Sequence, residues 1–95
     1  MSLHRRHRKD GNHEPIEKAF QKEGCSVKNT SQLGHDFPDL IVAKQGRTGL
    51  VEIKLEDGEL SEGQQKFCQG WRGKVYVARS VDDVPVIVKQ LLELM

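Results

Sequence analysis

Two short apolar runs joined by turn formers constrain this chain more than any other feature. Leu40-Ile41-Val42-Ala43 leads into Gln45-Gly46-Arg47-Thr48-Gly49, and Leu50-Val51-Glu52-Ile53-Lys54-Leu55 follows. Runs this short and this rich in branched side chains read as strands rather than core helices. A brief glycine-containing connection sends the chain straight back, so the pair is expected to form an antiparallel hairpin. The expected strands are Asp39–Lys44 and Leu50–Leu55. Pro38 opens the first, at a position where a missing ladder donor does no harm.

Alternation along the second strand sorts its residues by face. Val51, Ile53 and Leu55 point towards a core, whereas Leu50, Glu52 and Lys54 point the other way. A carboxylate and an amine two positions apart on one face lie ~7 Å from each other, close enough to share a ligand. Asp39 starts the partner strand near the open end of the hairpin, so strands of similar length bring it beside Glu52 or Lys54. Two carboxylates at such a distance repel unless a proton or cation lies between them. Mg²⁺ or Mn²⁺, hard ions with oxygen ligands, would satisfy both and still bind phosphate. Such an ion polarises a phosphoryl oxygen and acidifies a bound water, while a lysine positions the water or neutralises developing charge. The plainer alternatives are a turn aspartate and a cross-strand ion pair. Asp39, Glu52 and Lys54 together, opposite an apolar face, favour a phosphodiester-hydrolysing centre.

The rest of the 95 residues fits one domain around that hairpin. A helix is expected over residues 13–23, with Pro15 in its first turn, Ile16, Ala19 and Phe20 as its apolar stripe, and Gly24 as its stop. Cys25 to Thr30 reads as a strand and Ser31 to Phe37 as a polar loop. Beyond the hairpin, Glu56 to Glu59 reads as a solvated loop and Ser61 opens a helix that runs to about Gln69. Lys74 to Ala78 reads as a strand. Asp82 or Asp83 is expected to cap a last helix, with Pro85 in its first turn and Val88, Leu91 and Leu92 on its buried face. The order α-β-β-β-α-β-α predicts an α/β domain with a central mixed sheet flanked by helices.

Charge is distributed unevenly. The chain carries a net +1, yet Arg5, Arg6, Arg8 and Lys9 against Asp10 give the first ten residues +3 and leave −2 for the remainder. Residues 1–12 therefore read as a basic flexible arm ahead of a domain over 13–95, and the arm is a candidate for holding nucleic acid. His4, His7 and His13 are expected in that solvated tail rather than in a metal site. Cys25 and Cys68 lack paired-motif spacing, which favours a reducing cytoplasm, and no apolar run approaches membrane-span length. Trp71, a single aromatic after a helix, reads as packing rather than base stacking.

Pro38-Asp39, followed after twelve residues by Glu52-Ile53-Lys54, resembles the signature of the PD-(D/E)XK nucleases. The surrounding pattern is similar to the VRR-NUC branch of that superfamily and, more distantly, to archaeal Holliday-junction resolvases. It extends over nearly everything from Ile16 onward: a Glu-bearing first helix, the glycine-containing loop before Pro38, Leu60-Ser61-x-x-Gln64 at a helix start, and a closing strand and helix. The resemblance implies a restriction-endonuclease-like core and a metal-dependent DNA endonuclease, selective for branched or junction DNA and homodimeric. It implies metal ligation by Glu17, Asp39, Glu52 and the Ile53 backbone carbonyl, with Lys54 and Gln64 as catalytic partners. Glu17 lies ~60° around its helix from Phe20, at the edge of the apolar stripe, where either a solvated carboxylate or a ligand fits. Ser61-x-x-Gln64 is also a capping box, a role that needs no substrate, and Gln65 is the fallback. One departure stands out: where the family often has Arg-Gly-x before Pro-Asp, this chain has His35, Asp36 and Phe37. Asp36 adds a carboxylate near the metal and His35 could meet a phosphate, although an ordinary polar loop also fits. A phage or mobile-element gene would suit such a small enzyme. The rival readings are a nucleic-acid-binding module without chemistry, and a nuclease subunit active only within a larger recombination or repair assembly.

Overall fold

The computed structural model describes residues 13–93, so the basic residues Arg5, Arg6, Arg8 and Lys9 lie outside the described part. Helix α1 spans His13–Lys22, with Glu14 in its first turn and Lys22 in its last, matching the helix dipole at both ends. His13, Ile16 and Phe20 recur at helical spacing and form its buried stripe. His13 is thus not part of a solvated tail, because it falls on the same side of the helix as the core residues. Gly24, at φ 90, ends the helix in a conformation that glycine tolerates best.

Four strands follow the expected order: β1 Ser26–Asn29, β2 Leu40–Lys44, β3 Arg47–Ile53 and, after helix α2 (Glu62–Gly70), β4 Val75–Ala78. Helix α3, Asp83–Leu92, closes the described chain. The sheet order is β1-β2-β3-β4. The first three strands are antiparallel, and β4 joins β3 in parallel through the α2 crossover.

The hairpin is tighter than its sequence suggests. Gln45 and Gly46 alone make the turn, both left-handed at φ 54 and 78, and Lys44 already pairs with Arg47. A two-residue left-handed turn matches the natural twist of the strands it joins, so β3 begins three residues early. Gly49, expected in the turn, sits inside β3 opposite Val42. A side chain there would come within 3.0 Å of the Tyr76 ring and 3.2 Å of Leu91, so glycine is what allows this close approach.

One face of the sheet carries the core. Ile16 and Phe20 from α1, Leu40, Val42, Val51 and Ile53 from the hairpin, Ala78, and Val84, Ile87, Val88 and Leu91 from α3 form a single buried cluster. Leu55 does not belong to it and is 55 % exposed, because β3 ends at Ile53 and the chain turns away. Helix α2 has no buried residue of its own and lies over the other face, where it meets Glu52. The expected carboxylate cap of α3 does not form. Asp82 takes the cap position without a side-chain cap bond, and Asp83 Oδ2 instead accepts from the Arg79 N–H at 2.7 Å. Cys25 and Cys68 are free thiols. Among the described residues no helix is long and apolar enough to cross a membrane.

Candidate hydrolytic site

The register of the sheet brings the acidic pair together. Leu40 stands opposite Val51, so one step further Asp39 falls opposite Glu52 on the face away from the core. The N–H groups of Leu50 and Lys54 donate to Lys74 and Ala78 of the β4 side. The intervening amides of Val51 and Ile53 therefore face β2. Beyond the end of the β2 ladder the Ile53 N–H finds Asp39 Oδ2 at 2.8 Å, a side chain in place of the next backbone acceptor. Because N–H and C=O of an extended residue point to the same neighbour, the Ile53 carbonyl is aimed at this end as well. Thr30 fixes the other side. Its N–H donates to the Asp39 carbonyl and its hydroxyl to the Pro38 carbonyl, both at 2.7 Å.

Glu52 is only 5 % exposed. Gln64 Nε2 donates to its Oε2 at 3.0 Å, and Lys54 Nζ lies 3.9 Å from the same oxygen. Burial raises the Glu52 pKa, and the facing Asp39 raises it further through its charge and a hydrogen bond. Asp36 adds to the rise while Lys54 opposes it, and the outcome is about 8 against an ordinary 4.5. Two carboxyls in contact, one of them buried, take up a proton when no cation is present. Such a pair exchanges that proton for a hard divalent cation, so this donor chemistry fits Mg²⁺ or Mn²⁺. Among the described residues no three Asp, Glu, His or Cys side chains are grouped as a ready-made metal site. The oxygen donors that could meet a cation at this point are the carboxyl pair and the Ile53 carbonyl.

Gln64 forms the capping box and also touches Glu52. Its Oε1 accepts from Ser61 N–H at 2.9 Å and its N–H donates to Ser61 Oγ at 3.1 Å, completing a capping box, while Nε2 reaches Glu52. Gln65 turns instead to the Leu60 carbonyl. Asp39, Glu52, Ile53, Lys54, Leu55, Gly58 and Gln64 line an open cleft of about 290 Å³.

Three contributors were not apparent in the sequence. The Arg79 guanidinium donates to the carbonyls of Leu55, Glu56 and Gly58, and so secures the cleft wall. Only the pairing of Ile53 with Ala78 places the residue after β4 beside the residues after β3. Gly63 is the second: a Cβ there would collide with the Asp36 carboxylate. Its absence lets that carboxylate rest at the start of α2, where the helix dipole favours negative charge. Asp36 and the exposed His35 stand at φ 64 and 56, directly after Gly34 at φ 75, so three successive residues of this loop take a left-handed, glycine-like backbone. Asn29 is the third, and it concerns Glu17. Asn29 Nδ2 donates to Glu17 Oε2 at 2.6 Å, and Asn29 pairs with Leu40 next to Asp39. Glu17 is thereby held at the same end of the sheet as Asp39, but it does not line the cleft.

No protein-family model and no curated protein matches the chain. A solved structure titled "VRR_NUC domain" superposes with a TM-score of 0.71 at 23 % identity, covering 85 % of this chain and 94 % of that one. With the α-β-β-β-α-β-α order and the mixed four-stranded sheet, this likeness establishes a VRR-NUC, restriction-endonuclease-like fold.

Proposed function

We propose that the chain is a divalent-metal-dependent DNA endonuclease that hydrolyses phosphodiester bonds, with branched or junction DNA as substrate and a homodimer as the working form. The observation that carries this reading is the contact between Asp39 and Glu52 at a cleft that Lys54 and Gln64 share. Asp39 and Glu52 would hold Mg²⁺ or Mn²⁺, with the Ile53 carbonyl as a further oxygen donor, and Glu17 would join them only by leaving its contact with Asn29. The ion, when bound, supplies Lewis acidity towards a phosphoryl oxygen and lowers the pKa of water.

The remaining work falls to the chain's own side chains. Lys54 places its ammonium beside Glu52, where it positions the attacking water and offsets charge that grows on the phosphate. Gln64 orients Glu52 while anchored by its own cap, so the carboxyl does not rotate away from the cleft. Asp39 is immobilised by the Ile53 amide, which fixes one ligand before any substrate arrives. Arg79 keeps the opposite wall in place. His35 and the basic residues Arg5, Arg6, Arg8 and Lys9 contribute phosphate contacts along the DNA.

Labelled hairpins, flaps and four-way junctions incubated with Mg²⁺, Mn²⁺ or EDTA test the reading. Cutting that requires metal and vanishes in Lys54→Ala is the expected result. Binding that is indifferent to metal, with no cutting of any substrate, would replace the enzyme by a binding module. Cutting that appears only after addition of cell extract would make the chain a subunit of a larger assembly.

A further inference from the structure

Three aromatic rings gather beside the cleft although they are separated in sequence. Phe67 and Trp71 stack, with centroids 5.3 Å apart and planes inclined by 16°. Phe37 closes on both edge-on, at 5.4 Å from Phe67 and 6.2 Å from Trp71. Phe37 and Phe67 are half-buried in this group, whereas Trp71 packs on them and yet remains 42 % exposed. Gly73 completes the seat: a Cβ there would lie 2.8 Å from the indole Nε1, so only glycine lets the ring settle against the backbone. Phe67 stacks against the indole, Phe37 meets it at nearly a right angle, and the ring still keeps an exposed side.

Its position gives that face a partner. Gln64 and Phe67 follow each other at helical spacing on α2 and Trp71 caps its C-terminal end, which puts Trp71 ~10 Å along the axis from the residue that touches Glu52. Phe37 precedes Pro38-Asp39 in the chain, so both ends of the cluster are tied to residues of the hydrolytic site. Exposed cations neighbour it in the chain: Arg72 directly follows Trp71, Lys74 lies two residues further on with its ammonium at the Gln90 carbonyl, and Lys66 precedes Phe67 and pairs with Glu62 at 3.8 Å. A partly exposed aromatic ring held by two others, with Arg72 next to it in the chain, suits a base whose backbone is held by charge.

We propose that Trp71 is a stacking platform for an unpaired nucleobase flanking the hydrolysed bond, so that the substrate carries a single-stranded segment next to the cut. This inference rests on the hydrolytic reading of the Asp39–Glu52 cleft. A base inside a closed duplex has both faces covered by its neighbours and cannot use the platform. A base at a fork, flap or junction can.

Trp71 is the single tryptophan of the chain, so its emission reports directly on the platform. The full-length protein is titrated in EDTA with an oligothymidylate and, separately, with a blunt duplex of equal length. Strong quenching by the oligothymidylate and little by the duplex is expected. Trp71→Ala should weaken oligothymidylate binding about tenfold, whereas Trp71→Phe, which keeps a stacking face, should stay within about twofold of the parent. Unchanged emission on binding, equal quenching by the duplex, no oligothymidylate binding, or parental affinity in a folded Trp71→Ala would each overturn the inference. Metal-dependent cutting is scored in a separate assay: cutting without quenching removes the platform and keeps the hydrolase, and quenching without cutting does the reverse.

Discussion

On the face of the sheet covered by α1 and α3, Ile16, Phe20, Leu40, Val42, Val51 and Leu91 are closed to solvent. The face beneath α2 instead holds a carboxyl, an amide and an ammonium around an open cleft, under a helix with no buried residue. Both faces are served by the same strand, since Leu50, Val51, Glu52 and Ile53 are all buried. The difference lies in what burial does on each side. Apolar burial stabilises the fold by removing hydrocarbon from water. Burial of Glu52 destabilises its charged form and so works against the fold. A carboxyl buried at such a cost accords with the proposed hydrolytic role, where stability and activity commonly oppose each other.

The largest test breaks the apolar face. Phe20→Ala removes a fully buried ring, and a loss of about 3–5 kcal/mol in a chain this small should leave little folded protein at ambient temperature. Urea denaturation would measure it; a loss below about 1 kcal/mol would mean that α1 is not essential to the core. Next in size is Lys54→Ala on the opposite face, which should lower the hydrolysis rate by on the order of 10²–10³ and shift the melting temperature by only a few degrees. A large fall in stability with activity retained would reverse the assignment of the two faces.

Glu52→Gln sharpens the contrast because its sign is unusual. The folded-state pKa near 8 lies above the ordinary 4.5, so the stability tied to this carboxyl is fully present below pH 4.5 and is lost as pH rises towards 8. The amide loses nothing over that range. Thermal melts in EDTA should therefore show Glu52→Gln increasingly more stable than the parent between those values, by several degrees at the upper end. Adding Mn²⁺ at pH 7.5 should raise the melting temperature of the parent and not that of the variant. A metal-free parent whose stability rises with pH across this window would contradict the burial of that charge. The smallest effect belongs to neither face. Glu14 and Lys18 pair across the exposed side of α1 at 3.4 Å, and Lys18→Ala should change stability by no more than ~0.5 kcal/mol. A larger change would point to contacts beyond that pair.

Legibility in the sequence followed the range of the interactions. The element order, the two faces of β3, the stripe of α1 and the cap at Ser61 depend on residues a few positions apart, and all were readable. The misreadings were local too, but a neighbour decided each of them. Gly49 looked like part of a turn until Tyr76 and Leu91 occupied its side-chain space, and Leu55 continued an alternation that the strand itself abandoned. His13 sat at the boundary between a polar arm and a helix, where composition pointed one way and helical spacing the other.

The sequence by itself determined that there would be a hairpin, which of its residues would face away from the core, and that an acid and an amine would share that side. Strand alternation and turn chemistry are properties of short stretches, and they hold whatever else the chain does. Only the tertiary structure decided that Asp39 lands opposite Glu52, that Arg79 secures the far wall, that Asn29 engages Glu17, and that Phe37, Phe67 and Trp71 meet. Those meetings join residues that are distant in the chain, and they depend on a register set by a two-residue turn. A shift of one position would send every side chain of a strand to the opposite face.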